Sequence, residues 1–202
     1  MNCGKPDTIG QAMLCPSSAA GKVGQFALVS YIPGVLAQFL DCLRLDLTPK
    51  CNPHAHVSIL PPRPLVDELK DTIHLAAAHC RQVERFEIGL AELQVFPVSN
   101  VIYLGLEYGA TELNSLYRML NVGPLAHAEA FPYHPHITVA QSLAETDIDA
   151  AVAYARDEWA KYRGPRKFWV GQLSFVQQVA PDMWVDVAEL ALIEPVMEPV
   201  TV

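Results

Sequence analysis

The chain has no apolar run long enough to span a bilayer. Its first 21 residues, MNCGKPDTIGQAMLCPSSAAG, carry neither a basic leading segment nor a continuous hydrophobic one, so they do not read as a signal peptide. Cysteine is sparse and odd in number: Cys3, Cys15, Cys42, Cys51 and Cys80, with no C-x-x-C pair. That argues against a disulfide framework and against a zinc knuckle, and fits reduced thiols in a cytoplasm. Positive charge is also scarce, at 14 Lys and Arg against 22 Asp and Glu, for a net charge of −8. No basic cluster exceeds RGPRK at 163–167. A protein that grips many phosphates carries a basic face, so extended nucleic acid is disfavoured as a partner. A small phosphate-bearing ligand or the end of an oligonucleotide is not. The expectation is a cytoplasmic monomer with no membrane partner.

What the chain does have is apolar material, 51% of its 202 residues, enough for the core of one large domain. Residues 1–22 are rich in small and turn-forming types and read as an extended arm, 23–193 as one domain, and the proline-broken 194–202 as a peripheral tail. Strands are expected at 25–32, 54–60, 85–96 (irregular near Gly89), 100–108, 136–141, 166–179 and 183–192. Between them lie helical stripes. One runs Leu36, Phe39, Leu40, Leu43, Leu47; the next, opened by Pro64, runs Val66, Leu69, Ile73, Ala76, Cys80, Val83. A third carries Leu113, Leu116, Tyr117 and Leu120, and a fourth runs from Ile148 to Tyr162. Strand, helix, strand, helix, strand thus occurs twice, as in an internal duplication.

Each half contains one unusual stretch. NPHAHVSILP (52–61) and YHPHITVAQ (133–141) both read His-x-His-x-hydroxyl inside an apolar strand, and the second histidines, His56 and His136, are 80 residues apart. Strand side chains alternate, so His54, His56 and Ser58 should share one face, as should His134, His136 and Thr138. Same-face neighbours lie roughly 6.5–7 Å apart, a span suited to gripping one phosphate-sized group. Val57, Ile59, Ile137 and Val139 should point into the core and hold each strand rigid. A single strand histidine is usually an ordinary core residue; the doubled pattern favours function. His74, His79 and His127 stand alone and read as ordinary, as do Trp159, Trp169 and Trp184.

Two histidines in opposite protonation states form an acid–base pair that needs no metal, and neighbouring hydroxyls can donate to phosphoryl oxygens as charge develops. Which histidine is base and which is acid is open at this stage. His54 and His134 could line the groove or tune the pair, and Tyr133 or Arg63 could meet a base or a phosphate. Two other classes compete. The paired H-x-H stretches offer four imidazoles to a metal, although neither contains a carboxylate. A non-catalytic nucleotide-binding module would use the same groove without turnover.

The tetrads His56-Val57-Ser58-Ile59 and His136-Ile137-Thr138-Val139 resemble the signature of the 2H (two-histidine) phosphoesterase superfamily. Within it they are most similar to the bacterial 2′-5′ RNA ligase and RNA 2′,3′-cyclic phosphodiesterase branch. The resemblance extends over about residues 24–192 and is specific only at the tetrads. It implies an α+β fold of two lobes, each an antiparallel sheet with flanking helices, and an active groove between them. It also implies His56 and His136 as the catalytic pair, Ser58 and Thr138 as substrate-binding hydroxyls, and no metal or other cofactor. One departure is that Ala140-Gln141 follows the second tetrad, where such proteins often carry a basic residue. That points to a small substrate.

Overall fold

The computed structural model describes residues 24–49, 53–181 and 183–194, with Glu145 described by its backbone only. The expected N-terminal arm and nearly all of the expected tail lie outside the described residues, as do Cys3, Cys15 and Cys51. In chain order the elements are β1 (Gln25–Tyr31), α1 (Gly34–Leu47), β2 (His56–Pro64), α2 (Leu69–Cys80), β3 (Phe86–Val95) and β4 (Ile102–Tyr108). There follow α3 (Ala110–Leu120), β5 (Ile137–Ala140), α4 (Ile148–Lys161), β6 (Lys167–Val170), β7 (Gln172–Ala180) and β8 (Met183–Ala191). No described helix is long and apolar enough to cross a membrane.

The strands form two four-stranded sheets, ordered β2-β1-β7-β8 and β5-β4-β3-β6, with every pairing antiparallel. The α+β, two-lobed expectation is met. The two orders correspond position by position: each motif strand (β2, β5) is an edge, its neighbour is the strand that opens its half, and the third strand comes from the other half. β3 leaves the first half of the chain to pair with β4, and β7 returns from the second half to pair with β1. The helices cross in the same reciprocal way. α1 packs on β5, α3 packs on β2, α1 meets α4, α2 meets α3, and β2 touches β5. The main hydrophobic core is drawn from both sheets and all four helices, and a smaller cluster of Ala27, Val29, Val176 and Trp184 lies on the other face of β1 and β7.

Three expectations are corrected. The run 166–179 is not one strand but β6 and β7, which lie in different sheets on either side of Gly171. The burial explains the break: β6 alternates exposed and buried, whereas Leu173, Ser174, Phe175 and Val176 of β7 are all buried, because β7 is an interior strand covered on both faces. β2 begins at His56, leaving His54 outside the strand, and continues to Pro64. Pro61, Pro62 and Pro64 are tolerated because an edge strand can spare N–H groups on its open side and because the pairing with β1 is irregular between Leu60 and Arg63. Pro64 therefore ends a strand rather than opening a helix, and Val66, 70% exposed, is no part of the α2 stripe.

At Gly109 the backbone adopts φ 90° at the N-terminal cap of α3, and a Cβ there would strike the Ile88 side chain. Glycine permits both the left-handed turn and the tight passage of β4 into α3.

Candidate active site

The two motif strands deliver their side chains as alternation requires. Val57, Ile59, Ile137 and Val139 are buried in the shared core, while His56, Ser58, His136 and Thr138 are half-buried on the opposite faces. His56 opens β2 opposite Tyr31 of β1, and Ser58 stands opposite Val29. His136 immediately precedes β5, and Thr138 stands opposite Tyr103 of β4. β2 and β5 touch; Ser58, His136 and Thr138 line one cavity, and His56 is near enough to feel the charge of His136.

Both histidines are held by the same local device. Nδ1 of His56 lies 2.7 Å from the carbonyl oxygen of His54, and Nδ1 of His136 lies 2.7 Å from that of His134. A carbonyl can only accept, so Nδ1 is the donor and Nε2 of each neutral ring is left unprotonated. The first residue of each H-x-H pair thus contributes its backbone to this contact. Its own ring is used elsewhere. His54 stacks on Tyr31 at 3.6 Å between centroids, and Tyr31 donates from its hydroxyl to Asp186 Oδ1 at 2.6 Å. His134 stands edge-on to Phe96 and Tyr103, with centroids 5.4 and 5.7 Å away. His136 meets the same two rings edge-on, at 5.0 and 5.3 Å.

Burial lowers the pKa of both histidines. His56 is pushed down to about 3, chiefly by loss of water, with further opposition from the Arg44 guanidinium and from His54 and His136. Contact with the His54 carbonyl works the other way without reversing the shift. His136 is also lowered, by burial first and by His134 second. Neither the Ser58 nor the Thr138 hydroxyl is hydrogen-bonded to another described residue. Among the described residues, no three His, Cys, Asp or Glu side chains converge to hold a metal ion.

Arg44 was not legible as a site residue, although a signal existed: it lies four residues after Leu40 on the buried side of α1. It is 4% exposed and donates from a terminal guanidinium nitrogen to the Thr138 carbonyl at 2.9 Å, joining α1 to the second motif strand. Tyr133 donates to the Ser58 carbonyl at 2.8 Å and stacks on Tyr117, so it ties the segment before β5 to β2. Arg63 does not face a ligand. It is 1% exposed and donates to the Pro61 carbonyl, Asn121 Oδ1, the Leu125 carbonyl and Glu129 Oε1, fastening the loop that leads to His134.

Beside the motif residues is a cavity of about 440 Å³, bounded by Ser58 and Pro61 of β2, the β3–β4 turn at 96–101, and the segment 129–141. His136 and Thr138 are in its wall, and among the described residues no Lys or Arg is. Ala140 lies in the core and Gln141 at the cavity, so the position that departs from the expected basic residue is part of the site.

A family model described as the 2′-5′ RNA ligase superfamily matches residues 35–182, well over half of the chain. A protein of Oceanobacillus iheyensis that carries a phosphoesterase name, OB1230, is 30% identical over 95 residues, which are 43% of this chain and 55% of that protein. The chain therefore spans about half the length of the curated relative it matches. Among solved structures, E. coli LigT in its apo form is similar at a TM-score of 0.58 and 15% identity, over 86% of this chain and 100% of LigT. Usb1 of Kluyveromyces marxianus, solved with uridine monophosphate, is similar at a TM-score of 0.51 and 14% identity, over 84% of this chain and 99% of Usb1. Those identities speak to fold alone. With both tetrads inside the span of the family model, and two sheets arranged as in LigT, the chain belongs to the 2′-5′ RNA ligase superfamily of two-histidine phosphoesterases.

Proposed function

We propose that the protein is a metal-independent phosphodiesterase that opens 2′,3′-cyclic phosphates or cleaves 2′,5′-linked nucleotides. The observation that carries this reading is the matched pair His56 and His136, each locked by an Nδ1–carbonyl contact that leaves Nε2 for proton transfer. His56, with the more strongly depressed pKa, is neutral and takes the role of base. Its Nε2 accepts a proton from water as the water oxygen bonds to phosphorus. On the far side the phosphorus–oxygen bond to the ribose breaks, and protonated His136 gives its Nε2 proton to the departing oxygen. The cycle ends with His56 protonated and His136 neutral, and exchange with solvent restores the starting state. Ser58 and Thr138, whose hydroxyls have no described partner, donate to the non-bridging oxygens. With a ribose 5′-hydroxyl in place of water, the same transfers would form a 2′,5′ linkage.

The substrate is small. Among the described residues no Lys or Arg lines the cavity, and the chain carries a net charge of −8. Two similar structures hold compounds of that size, E. coli LigT with 3′-AMP and Usb1 with uridine monophosphate. The deciding experiment is turnover of 2′,3′-cyclic nucleotides in excess chelator. Wild type should be active, and His56→Ala and His136→Ala should each lose about 10²–10⁴-fold while remaining folded. Activity that vanishes in chelator and returns with metal would point instead to a metal-dependent hydrolase. Binding without turnover at any pH would leave a nucleotide-binding module.

A further inference from the structure

The cavity beside His136 is chemically one-sided. Phe96, Val98, Val101 and Phe131 supply apolar surface, and Val98 and Phe131 are 79% and 65% exposed at its edge. Among the described residues, Glu129 is the only carboxylate in the wall. A flat, uncharged aromatic body suits such walls, and the nucleobase of a nucleotide held at Ser58 and Thr138 is one.

Glu129 is fixed in place. Its Oε1 accepts from Arg63 at 2.6 Å, and Arg63 is itself buried and tied to Pro61, Asn121 and Leu125. No described residue donates to Oε2. A carboxylate is an acceptor only, so it is matched by an exocyclic amino group, whereas uracil's ring donor, N3–H, is flanked by two carbonyl oxygens that a carboxylate repels. We infer that Glu129 sets the base preference of the site, favouring bases with an exocyclic amino group (cytosine, adenine, guanine) over uracil. The inference deepens the cyclic-phosphodiesterase reading and rests on it for the placement of the phosphate.

Cytidine and uridine 2′,3′-cyclic monophosphates make the cleanest pair, because their bases are nearly the same shape and differ at the ring edge. In wild type, kcat/KM should favour the cytidine compound by about ten-fold, within the range of one good side-chain contact to a base edge. Glu129→Gln keeps an oxygen for Arg63 and offers an amide N–H to the uracil oxygen, so the ratio should fall to near one or invert. Glu129→Asp, which withdraws the carboxylate by one methylene, should also shrink it. Equal rates in wild type, or a ratio unchanged in folded Glu129→Gln and Glu129→Asp, overturn the inference. If those rates depend on His56 and His136, the phosphodiesterase reading survives its loss. If nothing is turned over, calorimetry with cytidine and uridine 3′-monophosphates decides. Tighter cytidine binding upholds the preference while the hydrolase reading fails, and equal or absent binding overturns the preference.

Discussion

A proton placed on His56 would sit away from water and within the field of the Arg44 guanidinium, which is why the ring stays neutral down to about pH 3. His136 is lowered too, so it is a protonated acid only below the ordinary histidine value of 6.5. The signs combine into a specific pH profile. The base is ready above about pH 3, and the acid is lost as pH rises through the folded pKa of His136, so kcat/KM should peak on the acid side of 6.5 and fall towards neutrality. A bound phosphodiester is an anion beside both rings and raises both pKa values, so the kcat profile should lie at higher pH than the kcat/KM profile. Initial rates across pH 4–8 check both statements. A kcat/KM optimum above 7 would remove the proposed division of roles.

At the scale of elements, the groove depends on two stitches between β2 and the segment that leads into β5. One is the Arg63 cluster and the other is the Tyr133 hydroxyl on the Ser58 carbonyl. They differ in energy. Removing a buried guanidinium strands Asn121, the Leu125 carbonyl and a mostly buried carboxylate, so Arg63→Met should cost about 2–4 kcal/mol. Tyr133→Phe loses one neutral hydrogen bond and should cost about 1 kcal/mol. Denaturant unfolding of the two variants measures the contrast, and equal losses would show that Arg63 does not fasten the loop. Such stitches were not legible in the sequence, since partners 58–75 residues apart leave no periodic trace. What was legible depended on local geometry. Alternation placed Val57, Ile59, Ile137 and Val139 in the core and the motif hydroxyls opposite them, and the spacing of Leu36, Leu40 and Leu43 marked α1. The prolines of β2 were misread because their tolerance depends on the strand being an edge, a property of the whole sheet. Glu129 and Arg44 gain meaning only from what folds against them.

At the scale of the molecule, neither half of the chain owns a complete sheet. β3 stands between β4 and β6, and β7 stands between β1 and β8. Separating the halves in the β3–β4 turn at residues 96–101 would leave the first without its β7–β8 partner and the second without β3. The two pieces should be unfolded apart and gain structure when mixed, which near-ultraviolet circular dichroism can follow. A folded isolated half would refute the reciprocal arrangement. The same exchange matters while the protein is being made. β1 pairs with β7 through Leu28 and Phe175, so the strand on which His56-bearing β2 is built waits for a partner almost 150 residues downstream. At about 5–20 residues per second on the ribosome, that wait is roughly 7–30 s. For that time β1 and β2 have no β7 to cover them, so folding of the nascent chain, rather than stability of the finished one, is where a weakened β2 would first lower yield.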